Sequence, residues 1–238
     1  MKQAMVLKRS MVGRSHTEKG SINEDRAEVI YRSKDLSILM VSDGVGSEPY
    51  GGVGASILCS PSMGNIIKNS YEKHSVTDIP IEKISENIIR DAQSLIKLEL
   101  NSLGIKDWHK AAATMACVII DYKRELVHVI VIGDSPVMVL NNDSVTRIVQ
   151  SDLEGSSTWT PFTSSPEMRI KSFDLNDIKT IFMCTDGVDN TIPPENREKV
   201  LLPMDEYTSE DFDMMIKHIN KLQRDDATFL VVKFKEEI

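Results

Sequence analysis

Asp43 and Asp186 each close a short apolar run and are each followed by glycine, in I-L-M-V-S-D-G and I-F-M-C-T-D-G. A buried strand that ends in a carboxylate delivers an acidic oxygen to the rim of a sheet. Behind Asp43, the glycines Gly44, Gly46, Gly51, Gly52 and Gly54 let the backbone turn tightly and come close to a ligand. The pattern returns in variant form at V-H-V-I-V-I-G-D-S-P, with Asp134, and at the entry to the last apolar run, with Asp225 and Asp226. Asp25, in N-E-D-R, precedes the first clear strand. One carboxylate at a strand end is ordinary turn chemistry. Five brought together would repel one another unless cations neutralised them. Hard divalent ions such as Mn²⁺ or Mg²⁺ favour carboxylate, carbonyl and water oxygens, so the chemistry suggested is the binding of such a cation.

The elements that must position these acids follow from periodicity. Residues 1–12 alternate loosely and predict an edge strand. Residues 16–20 read as a turn into the first acidic motif. Residues 27–31 and 36–42 predict a hairpin around 32–35. Residues 53–69 have helical spacing interrupted by Pro61, which predicts a kink or two short helices. The clearest helix is 81–103, with Ile81, Ile84, Ile88, Ala92, Leu95 and Ile96 on one face and Asp78 and Pro80 at its start. Residues 114–121, 125–132, 136–141 and 144–150 predict a β-meander. Residues 151–166, rich in Ser, Thr and Pro, read as a loop lying over something. A strand at 179–185, an amphipathic helix at 209–222 and a closing strand at 227–234 complete the chain. Strands in runs followed by helices in runs predict an α+β fold.

The chain has 238 residues, 41% hydrophobic and 27% charged, which is enough for a substantial core. No repeat or low-complexity linker divides it, so residues 1–238 are expected to form one domain. A net charge of −8 argues against a nucleic-acid partner, which normally asks for a basic face. No apolar run has the length to cross a bilayer, and the M-K-Q-A-M-V-L-K-R-S start is too short and too polar for a signal peptide. Cys59, Cys117 and Cys184 are an odd count within apolar segments, which predicts buried reduced thiols and a cytoplasmic location.

The motif order N-E-D-R, V-S-D-G-V-G-S, A-A-A-T, V-I-G-D-S, C-T-D-G-V-D-N and R-D-D-A-T resembles the metal-dependent serine/threonine protein phosphatases of type 2C, across nearly the whole chain. It is closest to a bacterial side branch whose first motif reads S-H-x(3)-G-x(3)-Q-D, here Ser15-His16, Gly20 and Glu24-Asp25. The resemblance implies two packed antiparallel β-sheets flanked by α-helices on both outer faces, a four-layer α-β-β-α sandwich. It implies two Mn²⁺ or Mg²⁺ ions that activate water for direct attack on phosphoserine or phosphothreonine. By the same resemblance Asp43 would bridge the two ions and the Gly44 carbonyl would bind one of them. Asp186 and Asp225 would complete the other, and Asp25 would ligate an ion or hold a water on it. Asp134 falls where some relatives hold a third, weaker ion. Glu24, Asp189 and Asp226 are expected to be solvated or to neighbour the ligands. The implied partners are a phosphorylated protein and a cognate kinase, and the expected state is a monomer.

Two family positions differ here. Where most members place a phosphate-binding arginine stands Gly20, with Lys19 beside it, and the nearby substitutes are His16, Arg14 and Arg26. His16 has the best case, as a contact to phosphate or to the leaving oxygen. Where eukaryotic relatives place a histidine stands Val45. The alternative function is a catalytically silent phosphatase-like domain that serves as a regulatory or phosphoprotein-binding module.

Overall fold

A computed structural model describes residues 2–75, 80–141, 143–149 and 166–236. Strands β1 (Lys2–Met11), β6 (Val137–Leu140), β7 (Val145–Ile148), β9 (Thr180–Cys184) and β10 (Ala227–Glu236) form one antiparallel sheet in the order β1-β10-β9-β6-β7. Strands β2 (Arg26–Arg32), β3 (Leu36–Ser42), β4 (Met115–Asp121), β5 (Leu126–Ile132) and β8 (Arg169–Asp174) form the other, in the order β2-β3-β4-β5-β8.

Alternation along the strands builds three cores. Leu39 and Val41 of β3, Val118 of β4 and Val129 of β5 meet Met183 of β9 and Leu230 of β10 between the sheets. Their neighbours Ile38, Met40, Cys117 and Ile130 turn outward onto helices α2 (Gly51–Leu58), α3 (Pro61–Ser75) and α4 (Ile81–Ser102). On the other outer face, Phe182, Phe229 and Val231 pack under Val188 of α5 (Asp186–Asp189), Leu201 of α6 (Arg197–Leu201) and Phe212 of α7 (Ser209–Leu222). Successive strand residues face opposite sides, so a strand buried on both faces is apolar throughout, as β3 is apart from its two serines. The result is the expected four-layer α+β sandwich.

The edge strand, the hairpin, the 81–103 helix and the 209–222 helix stand where the sequence places them, and Pro61 opens a second helix. A capping box between Thr208 and Asp211 fixes the start of α7. Two expectations are corrected. Residues 114–150 are no meander: β4 and β5 lie in one sheet, β6 and β7 in the other, and the chain crosses between the sheets at 133–136, where Gly133 has φ 96°. The 16–20 turn is the end of a short helix, α1 (Arg14–Lys19), closed by Gly20 in the left-handed region at φ 68°. Strand β8 was not foreseen. Asp78 and nearly all of the 151–166 loop lie outside the described residues. Cys59, Cys117 and Cys184 are free and buried. No helix among the described residues is long and apolar enough to cross a membrane.

Candidate active site

Antiparallel pairing gathers the acids at one end of the sandwich. The β2–β3 register sets Arg26 beside Ser42, so Asp25 before β2 comes next to Asp43 after β3. The β4–β5 register sets Met115 beside Ile132, which brings Asp134 to the same end. In the other sheet, the Thr185 N–H donates to the Thr228 carbonyl at 3.0 Å, which sets Asp186 next to the Asp225-Asp226 entry of β10. Asp25, Asp43, Gly44, Asp134, Asp186 and Asp225 therefore line one cavity of about 510 Å³, together with His16, Glu24, Glu48, His109 and Asp226.

The positions are held by hydrogen bonds that cross between segments. The Asp43 N–H donates to Thr114 Oγ1 at 2.9 Å, and the Thr114 N–H returns a bond to the Asp43 carbonyl at 2.8 Å. Thr114 Oγ1 lies 2.6 Å from Ser135 Oγ, which ties this pair to the segment carrying Asp134. Thr185 Oγ1 donates to Asp25 Oδ2 at 2.8 Å and accepts the Thr228 N–H at 3.1 Å, a bridge between the two sheets. Gly44 lies against the first turn of α2: a Cβ there would stand 2.6 Å from the Gly51 carbonyl carbon and 2.7 Å from the Gly52 nitrogen. Only glycine fits that close approach.

The charges strain against one another. Burial, followed by repulsion from Asp25, Asp186, Asp134 and Asp225, pushes the Asp43 carboxyl well above its ordinary value. Burial and the Asp226 charge push Asp25 to about 7, although the bond from Thr185 pulls the other way. Burial, with Asp134 and Asp225, pushes Asp186 to about 6. Among the described residues no three His, Cys, Asp or Glu side chains stand as a closed metal-binding group. The donor set suits Mn²⁺ or Mg²⁺ all the same, because every donor is an oxygen and a divalent ion relieves the shared repulsion.

The sign of the linkage gives a prediction. With folded values of about 7 and 6 against an ordinary 3.8, Asp25 and Asp186 keep protons in the folded protein that the unfolded chain has released. Their contribution to stability is present at roughly pH 4 and is lost as pH rises toward 7. A divalent cation reverses that loss, so the rise in Tm on adding Mn²⁺ is expected to grow from roughly pH 4 to pH 7. Equal Mn²⁺ effects on Tm at both ends of that range would contradict it.

Asp226 is buried and not solvated. Its Oδ1 accepts the Gly13 N–H at 2.7 Å and its Oδ2 accepts the Glu24 N–H at 2.7 Å. His16 Nδ1 lies 2.9 Å from the same Oδ2, without the alignment of a hydrogen bond. Asp189 is also buried and turns to Arg147 at 2.5 Å and Arg197 at 3.4 Å. Of the substitutes for the missing arginine, His16 lines the cavity, while Arg26 donates to the Asn23 and Asp25 carbonyls and Arg14 to the Lys221 carbonyl. The sequence pattern did not single out His109, Glu48 or Thr185. Thr185 sits one residue before Asp186 in C-T-D-G, and His109 lies five residues before Thr114, so each stands close to a motif.

A family model described as protein phosphatase 2C matches residues 12–225. Comparison with curated protein sequences gives no match. Among solved structures, a bacterial serine phosphatase superposes with a TM-score of 0.70 at 15% identity, covering 100% of both chains. The serine/threonine phosphatase Stp1 from Staphylococcus aureus does so with a TM-score of 0.68 at 17% identity, covering 99% of this chain and 96% of that one. RsbX, solved in complex with magnesium, gives 0.57 at 14% identity, covering 99% and 100%. At these identities the superpositions establish a shared fold.

Proposed function

Because the chain belongs to the protein phosphatase 2C family, and is by family a protein serine/threonine phosphatase, we propose that it hydrolyses phosphoserine and phosphothreonine in a protein substrate at a divalent-metal site held by Asp43, Gly44, Asp186 and Asp225. The observation that carries this reading is the convergence of five strand-end acids on one cavity, where burial and then their mutual repulsion raise the carboxyl pKa values of Asp25, Asp43 and Asp186.

When bound, Mn²⁺ or Mg²⁺ supplies Lewis-acid polarisation of the phosphoryl group and a nucleophile from water at neutral pH. The chain's own residues set the geometry. Asp43 and the Gly44 carbonyl present oxygens from the end of β3, and the lack of room for a Cβ at Gly44 fixes that peptide. Asp186 and Asp225 present theirs from the facing sheet. Asp25, clamped by Thr185, would orient water from the side, and Asp134 would be the residue to hold a third, weaker ion. The Thr114–Ser135 contact keeps the Asp43 and Asp134 segments in register.

All these acids come from one chain, so a monomer carries a complete site. Three free buried thiols suit a reducing compartment such as the cytoplasm. A cognate kinase is the natural source of the phosphorylated substrate. The reading as a silent binding module is not favoured.

The test is a phosphothreonine peptide incubated with Mn²⁺, with and without chelator. Release of phosphate that the chelator stops supports the proposal. Release that the chelator leaves untouched, or none at millimolar Mn²⁺, removes it.

A further inference from the structure

Among the residues whose side chains are described, the lining of the cavity contains no lysine and no arginine. A phosphate ester entering among eight Asp and Glu side chains therefore meets two lining side chains with N–H donors, His16 and His109. His16 is drawn to the buried Asp226 carboxylate, 2.9 Å from its Nδ1. His109 differs. Its side chain is exposed, and among the described residues its ring has no ion pair and no side-chain hydrogen bond. Its one ring contact is with neighbouring Trp108, centroid to centroid 4.8 Å.

The turn that carries His109 is held on every side. It is a single 3₁₀ turn, Trp108–Ala111, whose start is capped by Asp107 accepting the His109 N–H. Trp108 packs against the helical core, with Lys97 Nζ 4.2 Å from its ring centroid, and Ala111 is fully buried. The Tyr50 N–H donates to the Lys110 carbonyl at 3.0 Å and the Val45 N–H to the Ala112 carbonyl at 3.0 Å. The Thr114 N–H bond to the Asp43 carbonyl completes a short ladder. The turn is thereby locked to the segment that carries Asp43 and Gly44, and a shift of one moves the other.

We infer that His109 is the protein's hydrogen-bond donor to the phosphate of the substrate, a catalytic residue supplied from the 108–111 turn and not from the segment around Gly20. The inference rests on the proposed phosphatase reaction and adds the group that holds its substrate. One imidazole N–H makes one charge-assisted bond to a phosphate oxygen, so the contact orients the ester without the two-pronged grip of a guanidinium.

The probe is inorganic phosphate, the reaction's product, titrated by calorimetry into Mn²⁺-loaded wild type, His109→Ala, His109→Gln, His16→Ala and Lys19→Ala proteins. Parallel kinetics use a phosphothreonine peptide. Loss of a hydrogen bond to a charged group is expected to weaken phosphate binding in His109→Ala by about ten- to a hundredfold, with KM for the peptide rising in step. The His109→Gln protein, which keeps an N–H donor, is expected to recover part of the affinity. Mn²⁺ affinity stays at the wild-type value, which separates loss of this contact from damage to the acid site. Phosphate affinity unchanged in His109→Ala overturns the inference, and so does an equal loss confined to His16→Ala or Lys19→Ala. Calorimetry reads binding without turnover. A wild type that binds phosphate through His109 but cleaves no phosphopeptide would therefore overturn the reaction and leave the contact standing.

Discussion

Replacing Asp43 by asparagine is expected to leave the chain folded and to lower Mn²⁺-dependent hydrolysis by at least about a thousandfold. The fold is spared because what ties this residue to its neighbours is backbone: its N–H to Thr114 Oγ1 and its carbonyl to the Thr114 N–H, both kept by asparagine. What is lost is the charge at the point where Asp25, Asp186, Asp134 and Asp225 all repel it. An amide offers one oxygen and no charge, so it holds a divalent cation more weakly than a carboxylate and is ill suited to serve two of them. The same loss of charge relieves the crowded site, so the metal-free variant is expected to melt at or above the wild-type temperature at neutral pH. Activity and stability then move in opposite directions, which general misfolding cannot produce. Steady-state kinetics with thermal melts in chelator check both halves. Turnover within tenfold of wild type would refute the assignment.

The second large effect is expected at Asp226, which carries no catalytic role in this account. Changing Asp226→Ala strips the acceptor from two N–H groups, Gly13 and Glu24, each bonded at 2.7 Å, and removes the charge facing His16. An unsatisfied buried donor costs about 1–3 kcal/mol, so the pair is worth about 2–6 kcal/mol. Relief of the Asp226–Asp25 repulsion offsets part of that, because Asp226 is one of the charges that raise Asp25. The net loss corresponds to a fall in Tm of about 10 °C for a chain of this size. Residues 13–24 are held to the sandwich by this carboxylate, by the Ser15 bonds to the Arg224 carbonyl, and by the side-chain bonds of Arg14 to the Lys221 carbonyl, Asn23 to Ser10 and Arg224 to Glu18. Faster amide exchange at Gly13 and Glu24 should accompany the fall. A melting temperature within a degree of wild type would show that the buried carboxylate does not anchor this segment.

The sequence pattern carried the strands and the acids further than it carried their partners. Asp43 and Asp186 were legible because each ends an apolar run in Asp-Gly, a local signal, and the helix at Ser209–Leu222 was legible because both its period and its capping box are local. The choice of sheet was not legible. Strands β5 and β6 are apolar on both faces, so nothing in their alternation says that the chain crosses from one sheet to the other at Gly133. Helix α1 was missed because R-S-H-T-E-K has no apolar stripe and is held by its cap and by contacts to Arg224. Asp225 and Asp226 are adjacent and chemically identical. Which of them turns into the protein depends on the approach of Gly13 and Glu24 from more than two hundred residues away. His109 escaped notice for the same reason. Its place at the cavity is fixed by the ladder between 43–45 and 112–114, a contact between distant segments.

The central claim is that these acids form a divalent-metal site, and calorimetric titration of the wild-type protein with Mn²⁺ tests it most directly. The account predicts saturable binding below millimolar Mn²⁺, lost or greatly weakened in the Asp43→Asn protein and weakened in wild type as pH falls toward roughly 4, where the acids take up protons. No heat of binding at millimolar Mn²⁺ and neutral pH, or binding that Asp43→Asn leaves untouched, would contradict it.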